Sequence, residues 1–197
     1  LTIDVNTGAI IPNTSIAGNY IVTYTIPASA GCSTTTATTS VTINTLPVVT
    51  ASPMTQSICS GGTTSISISS ATAGTTFSWT VVQSGGAAGA SNGAGSSINQ
   101  TLTTGTSTGT VVYTITPVAN GCTGASIDVT ITINASPTAT ATPAVSAICS
   151  GQSTGITLTS SLPNTTYTWT SASNNATGAS TSGTGSVISE TLTATST

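Results

Sequence analysis

The chain has 197 residues; none is Lys, Arg or His, and only Asp4, Asp128 and Glu190 carry a carboxylate. Without cations there is no basic patch for phosphate, which excludes nucleic acid and anionic membrane surfaces as partners. Without His, the commonest proton-transfer residue is also missing. The 48 Thr and 31 Ser, among alternating Ile and Val, instead indicate a folded β protein whose solubility rests on hydroxyl groups.

Residues 1–45 are expected to form the C-terminal half of a repeat of the same kind as the complete one that follows. A turn at residues 6–8 joins two short strands, and residues 18–26 follow as a longer strand. A loop through Cys32 leads to the last strand, and a Thr-Leu-Pro joint at 45–47 connects this half to the next repeat.

Residues 46–135 are expected to be a complete repeat of seven antiparallel strands. We place these strands near 48–52, 65–69, 77–81, 88–91, 98–102, 110–116 and 127–133. The weak fourth strand lies in the glycine-rich stretch 85–95, which is otherwise expected to be a flexible connector. Short strands in which apolar and polar residues alternate, separated by turn residues, are typical of a β-sandwich.

Residues 136–197 are expected to repeat the N-terminal part of the same plan. Cys59 returns as Cys149 and Trp79 as Trp169, both 90 residues later, and the same offset relates Cys32 to Cys122. A fixed long period indicates similar domains in line. The predicted fold is therefore all-β, an extended array of tandem seven-stranded β-sandwiches, and we interpret the chain as a fragment of a longer protein.

The aromatic residues are predicted to lie in the sandwich cores. Trp79 and Trp169 could serve as stacking platforms for sugar rings, but each alternates in phase with another aromatic residue. A β-sandwich typically buries a Trp at this position. The predicted core aromatics are Phe77, Trp79, Tyr113, Tyr167 and Trp169.

Catalytic, metal and cofactor sites are not expected. The three carboxylates fall in three different repeats, whereas Ca²⁺ requires six to eight oxygen ligands. The glycine-rich stretches 85–95 and 178–185 lack the Lys and the following helix of a phosphate-binding loop. The sequence therefore predicts a protein that is not an enzyme.

Four cysteines without metal-type spacing, Cys32, Cys59, Cys122 and Cys149, are predicted to form disulfides outside the reducing cytosol. An odd number of strand crossings places the turns of Cys59 and Cys122 at opposite poles of one repeat. This favours a bridge across each joint, from one repeat's first cysteine to the next repeat's second. A Cys59–Cys122 bridge within one repeat is the alternative, and Cys32–Cys59 is the least favoured pairing.

Several motifs resemble those of known proteins. They are the Ile-Cys-Ser-Gly start at 58–61, the Phe/Tyr-x-Trp third strand, and the ending Gly-x-x-x-Tyr-Thr-Ile with Asn-Gly-Cys at 120–122. These resemble the PKD-like, immunoglobulin-like repeats of giant Bacteroidetes surface proteins, and residues 1–10 look like a sister repeat. The resemblance implies type IX secretion and a role in adhesion, gliding motility or a surface stalk, with no catalytic residues.

The predicted function is that of a structural segment of a long extracellular surface protein or filament, which projects or mechanically supports a distal adhesive part. The alternative is that the repeats themselves bind glycans or surfaces as an adhesin. Expected partners are neighbouring repeats of the same chain, identical chains in a filament or bundle, and surface glycans. Membrane insertion is not expected, because no apolar run approaches about 20 residues.

Overall fold

The computed structural model describes residues 1–195, and most of its ordered elements are β-strands. The first segment contains a 3-10 turn at Pro12–Thr14 and strands β1 (Gly18–Ile26) and β2 (Thr35–Ile43). The central segment contains β3 (Val49–Ser52), β4 (Thr55–Cys59), β5 (Ile66–Ser70), β6 (Thr76–Ser84), β7 (Gly93–Ala94), β8 (Ser97–Ile98), β9 (Gly109–Ala119), β10 (Cys122–Thr123) and β11 (Ile127–Asn134). The third segment contains β12 (Ala139–Thr142), β13 (Gln152–Ser153), β14 (Ile156–Ser160), β15 (Thr168–Thr170), β16 (Ala176–Thr177), β17 (Ser182–Thr184), β18 (Val187–Ile188) and β19 (Thr191–Ala194).

The central segment is a β-sandwich. One sheet has the strand order β3-β5-β8, and the other has the order β4-β11-β9-β6-β7, with β10 paired to β9. Alternate residues of β9 and β11 point into the space between the sheets and are fully buried. The inward side chains from these two strands are Val111, Tyr113, Ile115, Val129, Ile131 and Ile133, and Ile66, Ile68 and Ile98 face them from the other sheet.

The first strand predicted near 48–52 is β3, and a further strand that was not predicted, β4, follows it in the other sheet. β3 pairs antiparallel with β5, whereas β4 pairs parallel with β11, from Thr55 opposite Thr130 to Cys59 opposite Asn134. Pro53 separates them because it has no N–H to continue the first ladder. With the short β10, the central segment has nine strands rather than the seven expected, and one of its pairings is parallel.

The glycine-rich stretch 85–95 was expected to be a flexible connector, but it is hydrogen-bonded along its length. Ala88 and Thr103 exchange two backbone hydrogen bonds of 2.9 Å. The short strand expected near 88–91 is only this bridge, and the strand itself, β7, lies a few residues later beside β6. Gly93 is required there, because a Cβ atom would lie 2.6 Å from Cζ2 of Trp79.

The third segment repeats the strand pairings of the central segment 90 residues later. The pair Val49↔Ser70 of the central segment corresponds to Ala139↔Ser160 of the third. In the same way, Ile66↔Ile98 corresponds to Ile156↔Ile188, and Ser78↔Ala94 corresponds to Thr168↔Thr184. Residues 196 and 197, the last two of the predicted repeat, lie outside the described residues. Between residues 137 and 195 there is no counterpart of β9 or β11.

The two ends of the central sandwich lie at opposite poles. Pro47 packs against Gly124, just before β11 begins, and Ser60 donates a 2.8 Å hydrogen bond to the carbonyl of Asn134, where β11 ends. The eight residues of β11 separate these poles by roughly 23 Å. The chain therefore enters the sandwich at one pole and leaves it at the other.

Every strand pairing stays within one of the three segments. No helix in the part of the chain that the structure describes is long and apolar enough to cross a membrane.

Candidate functional site

The structure places the predicted core aromatics of the central segment inside the sandwich. Phe77 is 9% exposed, Trp79 is 7% exposed and Tyr113 is fully buried. Their counterparts in the third segment, Tyr167 and Trp169, are half-buried. A ring as enclosed as that of Trp79 cannot offer a face to a sugar without leaving the core.

A polar network satisfies the heteroatoms of the buried rings. The Tyr113 hydroxyl donates to Oε1 of Gln100 at 2.8 Å, and Nε1 of Trp79 donates to the carbonyl of Ser91 at 3.2 Å. Gln100 connects the two, because its Nε2 donates to the same Ser91 carbonyl and its Oε1 accepts the Ser91 N–H, each at 3.0 Å. Burial raises the pKa of Tyr113 to about 12. Nothing in the sequence distinguishes Gln100 from the other polar residues around it, so this network was not predicted.

The same place in the third segment is built differently. Glu190 stands where Gln100 stands in the central segment, and its carboxylate accepts the N–H of Ser180 at 3.0 and 3.1 Å. Trp169 lies opposite Gly183 as Trp79 lies opposite Gly93, but its buried Nε1 has no hydrogen-bond partner. The network around the third segment's tryptophan is therefore incomplete.

The three carboxylates accept hydrogen bonds in three separate places and do not form a cluster. Asp4 accepts the backbone N–H groups of Asn6 at 2.8 Å and Thr7 at 3.3 Å, and these hydrogen bonds lower the pKa of its carboxyl group. Asp128 accepts the hydroxyl of Thr114 at 2.7 Å. Among residues 1–195, no three potential ligands lie close enough together to hold a metal ion.

The cysteines lie at the poles of the sandwich. Cys59 ends β4 opposite Asn134, and Cys122 follows the Asn120–Gly121 turn at the other end of β11. Along β11 alone, these positions are about 23 Å apart, whereas a disulfide needs Cα atoms within 4.4–6.8 Å. Such a separation is incompatible with a bridge between Cys59 and Cys122 in this fold. Cys32 lies in the corresponding turn of the first segment, and Cys149 precedes β13; all four cysteines are unpaired in the described structure.

The turn of Cys122 faces the preceding segment. Nδ2 of Asn44 donates to the carbonyl of Asn120 at 3.3 Å. A groove of about 690 Å³ lies at this joint, and its lining includes Pro12, Ile43, Leu46 and Cys122. At the other pole, the hydroxyl of Ser136 donates to the carbonyl of Ser60 at 3.4 Å, beside Cys59. Each joint is thus contacted by a turn that carries a cysteine.

Comparison with known proteins finds a match for the central sandwich. Residues 56–137 match the family model of the PKD-like domain, and no curated protein matches the chain. The matched range covers β4 to β11, including the core aromatics and both cysteines of the complete repeat. Residues 56–137 are therefore similar to PKD-like domains, which are immunoglobulin-type domains that are generally extracellular and typically non-catalytic.

Proposed function

We propose that the chain is a stretch of an extended extracellular array, with repeats at 1–45, 46–135 and 136–197, that spaces a distal adhesive part away from a cell surface. The observation that carries this proposal is the placement of the two ends of the central domain at opposite poles. Because the chain enters such a domain at one end and leaves it at the other, successive domains lie along one axis and lengthen a rod.

Three further features support the array. The strand pairings recur with an offset of 90 residues, the joints at 45–47 and 135–137 are short and contain Pro, and each joint carries contacts from both sides. A chain with almost no charge also gives neighbouring domains little electrostatic repulsion. Neighbouring repeats of the same chain are therefore its first partners.

Direct glycan binding is the weaker hypothesis. The most suitable stacking ring, Trp79, is enclosed between the sheets and hydrogen-bonded to Ser91. The exposed aromatic residue is Tyr24, 57% exposed, on the face of a hairpin that matches a core surface in the central domain. The resemblance to Bacteroidetes surface arrays supports export by a type IX system and a place on a cell-surface stalk, adhesin or gliding protein.

Disulfides across the joints would stiffen this array. Cys122 lines the groove at the preceding joint, and Cys59 is next to Ser60, which Ser136 contacts at the following joint; these positions support a bridge from each to a cysteine of a neighbouring repeat. By the 90-residue period, the partner of Cys59 would lie near position 122 + 90 = 212. Such bridges would take the place of the calcium ions or isopeptide bonds that stiffen other surface arrays.

Small-angle X-ray scattering of the reduced chain tests the proposed shape. A compact chain of 197 residues has a radius of gyration of about 16 Å. Three units in line, each adding roughly 26–35 Å, give a rod with a radius of gyration of about 23–30 Å. We expect the larger value and a cross-section one domain wide. A value near 16 Å at low concentration would show that the units fold back on one another, and the spacer role would then be wrong.

A further inference from the structure

The central domain contains two Asn-Gly dipeptides, and the fold places them in different surroundings. They are Asn92-Gly93, where β7 begins, and Asn120-Gly121, in the turn between β9 and β10. In such a dipeptide the backbone nitrogen of the glycine can attack the side-chain amide carbon of the asparagine, because no side chain on the glycine shields that nitrogen. The reaction requires the two atoms to approach each other freely. The local structure therefore determines which site reacts.

The first site is held inside the sandwich. Oδ1 of Asn92 accepts the backbone N–H of Val81 at 2.9 Å. Gly93 lies opposite Trp79 in the β6–β7 ladder, so close to the ring that a Cβ atom would lie 2.6 Å from Cζ2. While β7 stays paired with β6, the amide of Asn92 and the nitrogen of Gly93 cannot rearrange. This dipeptide is therefore protected by the fold.

The second site is an exposed two-residue turn. Asn120 and Gly121 are both exposed, and the residues that flank them, Ala119 and Cys122, are paired. The φ values of Asn120 and Gly121, +50° and +76°, are those of a type I′ turn, in which the flanking residues make the hydrogen bond. A Cβ atom on Gly121 would meet no atom within 4 Å. The nitrogen of Gly121 is thus open to solvent and beside an unshielded asparagine.

The contact across the joint does not use the side chain of Asn120. Nδ2 of Asn44 donates to the backbone carbonyl of Asn120 at 3.3 Å, which leaves the Asn120 amide outside this hydrogen bond. In the first segment, the corresponding turn has Ala30 in the same position, also with a φ of +50°. A turn of this shape therefore forms without a side-chain amide, and the amide of Asn120 is available for reaction.

We propose that Asn120 is a site of spontaneous covalent modification, at which its amide is converted to a carboxylate by attack of the Gly121 backbone nitrogen. A bond forms between this nitrogen and Cγ of Asn120, and the bond from Cγ to the side-chain nitrogen breaks. Ammonia leaves with the proton of the Gly121 N–H. One water molecule then opens the five-membered imide. Opening at Cγ gives aspartate, whereas opening at the backbone carbonyl gives isoaspartate, in which the chain continues through the side chain.

The modification is expected to loosen the turn that contacts the preceding segment. Isoaspartate inserts one extra methylene into the backbone of a two-residue turn, which is incompatible with the direct pairing of Ala119 and Cys122. The product also changes the net charge from −3 to −4 and places a carboxylate beside the groove lined by Ile43 and Leu46. A charge beside apolar side chains is unfavourable unless it is paired or hydrated. Both effects act at the joint.

The position of Cys122 gives the modification a further consequence. Cys122 directly follows the turn, so a change in the backbone at Asn120 moves its sulfur relative to the preceding segment. A disulfide across this joint would then form less readily. This step alone rests on the proposed function, whereas the modification itself requires neither the bridge nor the rod.

Peptide mapping of the reduced full chain, incubated for days at mildly alkaline pH, tests the modification. Chymotrypsin is the suitable protease, because the chain has no Lys or Arg for trypsin. We expect the mass change of one amide-to-acid conversion at Asn120, at least about tenfold faster than at Asn92, because Asn92 must first be freed by local unfolding. Enzymatic methylation of isoaspartate should detect the isomer at the same position.

The same chain in urea is the control, since both dipeptides should then react at similar rates. Equal rates at Asn92 and Asn120 in the folded chain would overturn the proposal. So would an Asn120 that reacts in urea but stays intact in the folded chain, because the turn would then protect it. Neither outcome depends on how successive domains are arranged, so the test separates this proposal from the proposed function.

Two variants separate the modification from other changes during incubation. Asn120→Ala reproduces the Ala-Gly turn of the first segment and cannot form the imide, whereas Asn120→Asp carries the charge without the extra methylene. Hydrogen exchange in residues 118–124 should become several-fold faster in the incubated chain and less so in Asn120→Asp. It should stay constant in incubated Asn120→Ala, and residues 127–133 should remain protected throughout. Equal acceleration in incubated Asn120→Ala, or a modified chain with unchanged exchange, would show that the proposed loosening is wrong.

Discussion

Replacing Gly93 with Ala should destabilise the central domain because it forces a methyl group against the ring of Trp79. The new Cβ atom would lie 2.6 Å from Cζ2, 2.9 Å from Cε2 and 3.2 Å from Nε1. The ring cannot move aside easily, since it is 7% exposed and its Nε1 is bonded to Ser91. Overpacking of this kind costs about 1–3 kcal/mol, and reduced freedom of the unfolded chain offsets about 0.4–1 kcal/mol of it.

Urea and thermal unfolding can measure this loss if the fluorescence comes from Trp79 alone, which requires Trp169→Phe as the background. For a domain of this size, each kcal/mol lowers the melting temperature by about 4–8 °C. Gly105→Ala is the matched control, because its Cβ would have no atom within 4 Å and its backbone is not left-handed. A Gly93→Ala domain as stable as the Gly105→Ala domain would mean that the Trp79 ring is free to move, and the assignment of Trp79 to a rigid core would fail.

Three other predictions concern the same domain. Tyr113 is neutral in the fold up to a pKa of about 12 but ionises near 10.0 when unfolded, so the free energy of unfolding should fall from pH 10 to pH 12. Tyr113→Phe should reduce that fall, at a cost of about 1 kcal/mol at neutral pH from the lost hydrogen bond to Gln100. Trp79→Ala should cost about 3–5 kcal/mol and Thr130→Ala less than 1, measured by the same unfolding curves. Air oxidation of the monomer, followed by peptide mapping, should yield no Cys59–Cys122 bridge; finding that bridge as the major product would contradict the described fold.

The long strands of the sandwich were predictable from sequence because their inward positions alternate strictly. Residues 127–133 alternate apolar with Asp or Thr, and the structure buries Val129, Ile131 and Ile133. The opposite placement of Cys59 and Cys122 was also predictable, because it depends on how many times the chain crosses the domain and not on how many separate strands make up each crossing. β3 and β4 run in the same direction and together cross the domain once. The extra strand therefore does not change the pole at which each cysteine lies.

The parts that were missed depend on contacts distant in sequence. The segment Thr55–Cys59 has one inward apolar residue, Ile58, and no local signal tells that it crosses to the other sheet and pairs parallel with β11. Gly93 looks like any residue of a glycine-rich loop, and only the position of the Trp79 ring explains it. The polar network of Gln100 and Ser91 likewise appears only when β6, β9 and the 85–95 stretch are brought together.

The parallel pairing of β4 with β11 determines how the domain would respond to a pulling force. Both strands run towards the pole of Asn134, while the chain enters at the pole of Pro47. Tension on the two ends therefore slides β4 along β11 instead of peeling one from the other. In such a shear geometry the hydrogen bonds across the five paired positions resist together, and must break together. The rupture force measured by single-molecule stretching would thus be set by this short edge strand, although it contributes only one half-buried apolar side chain, Ile58, to the core.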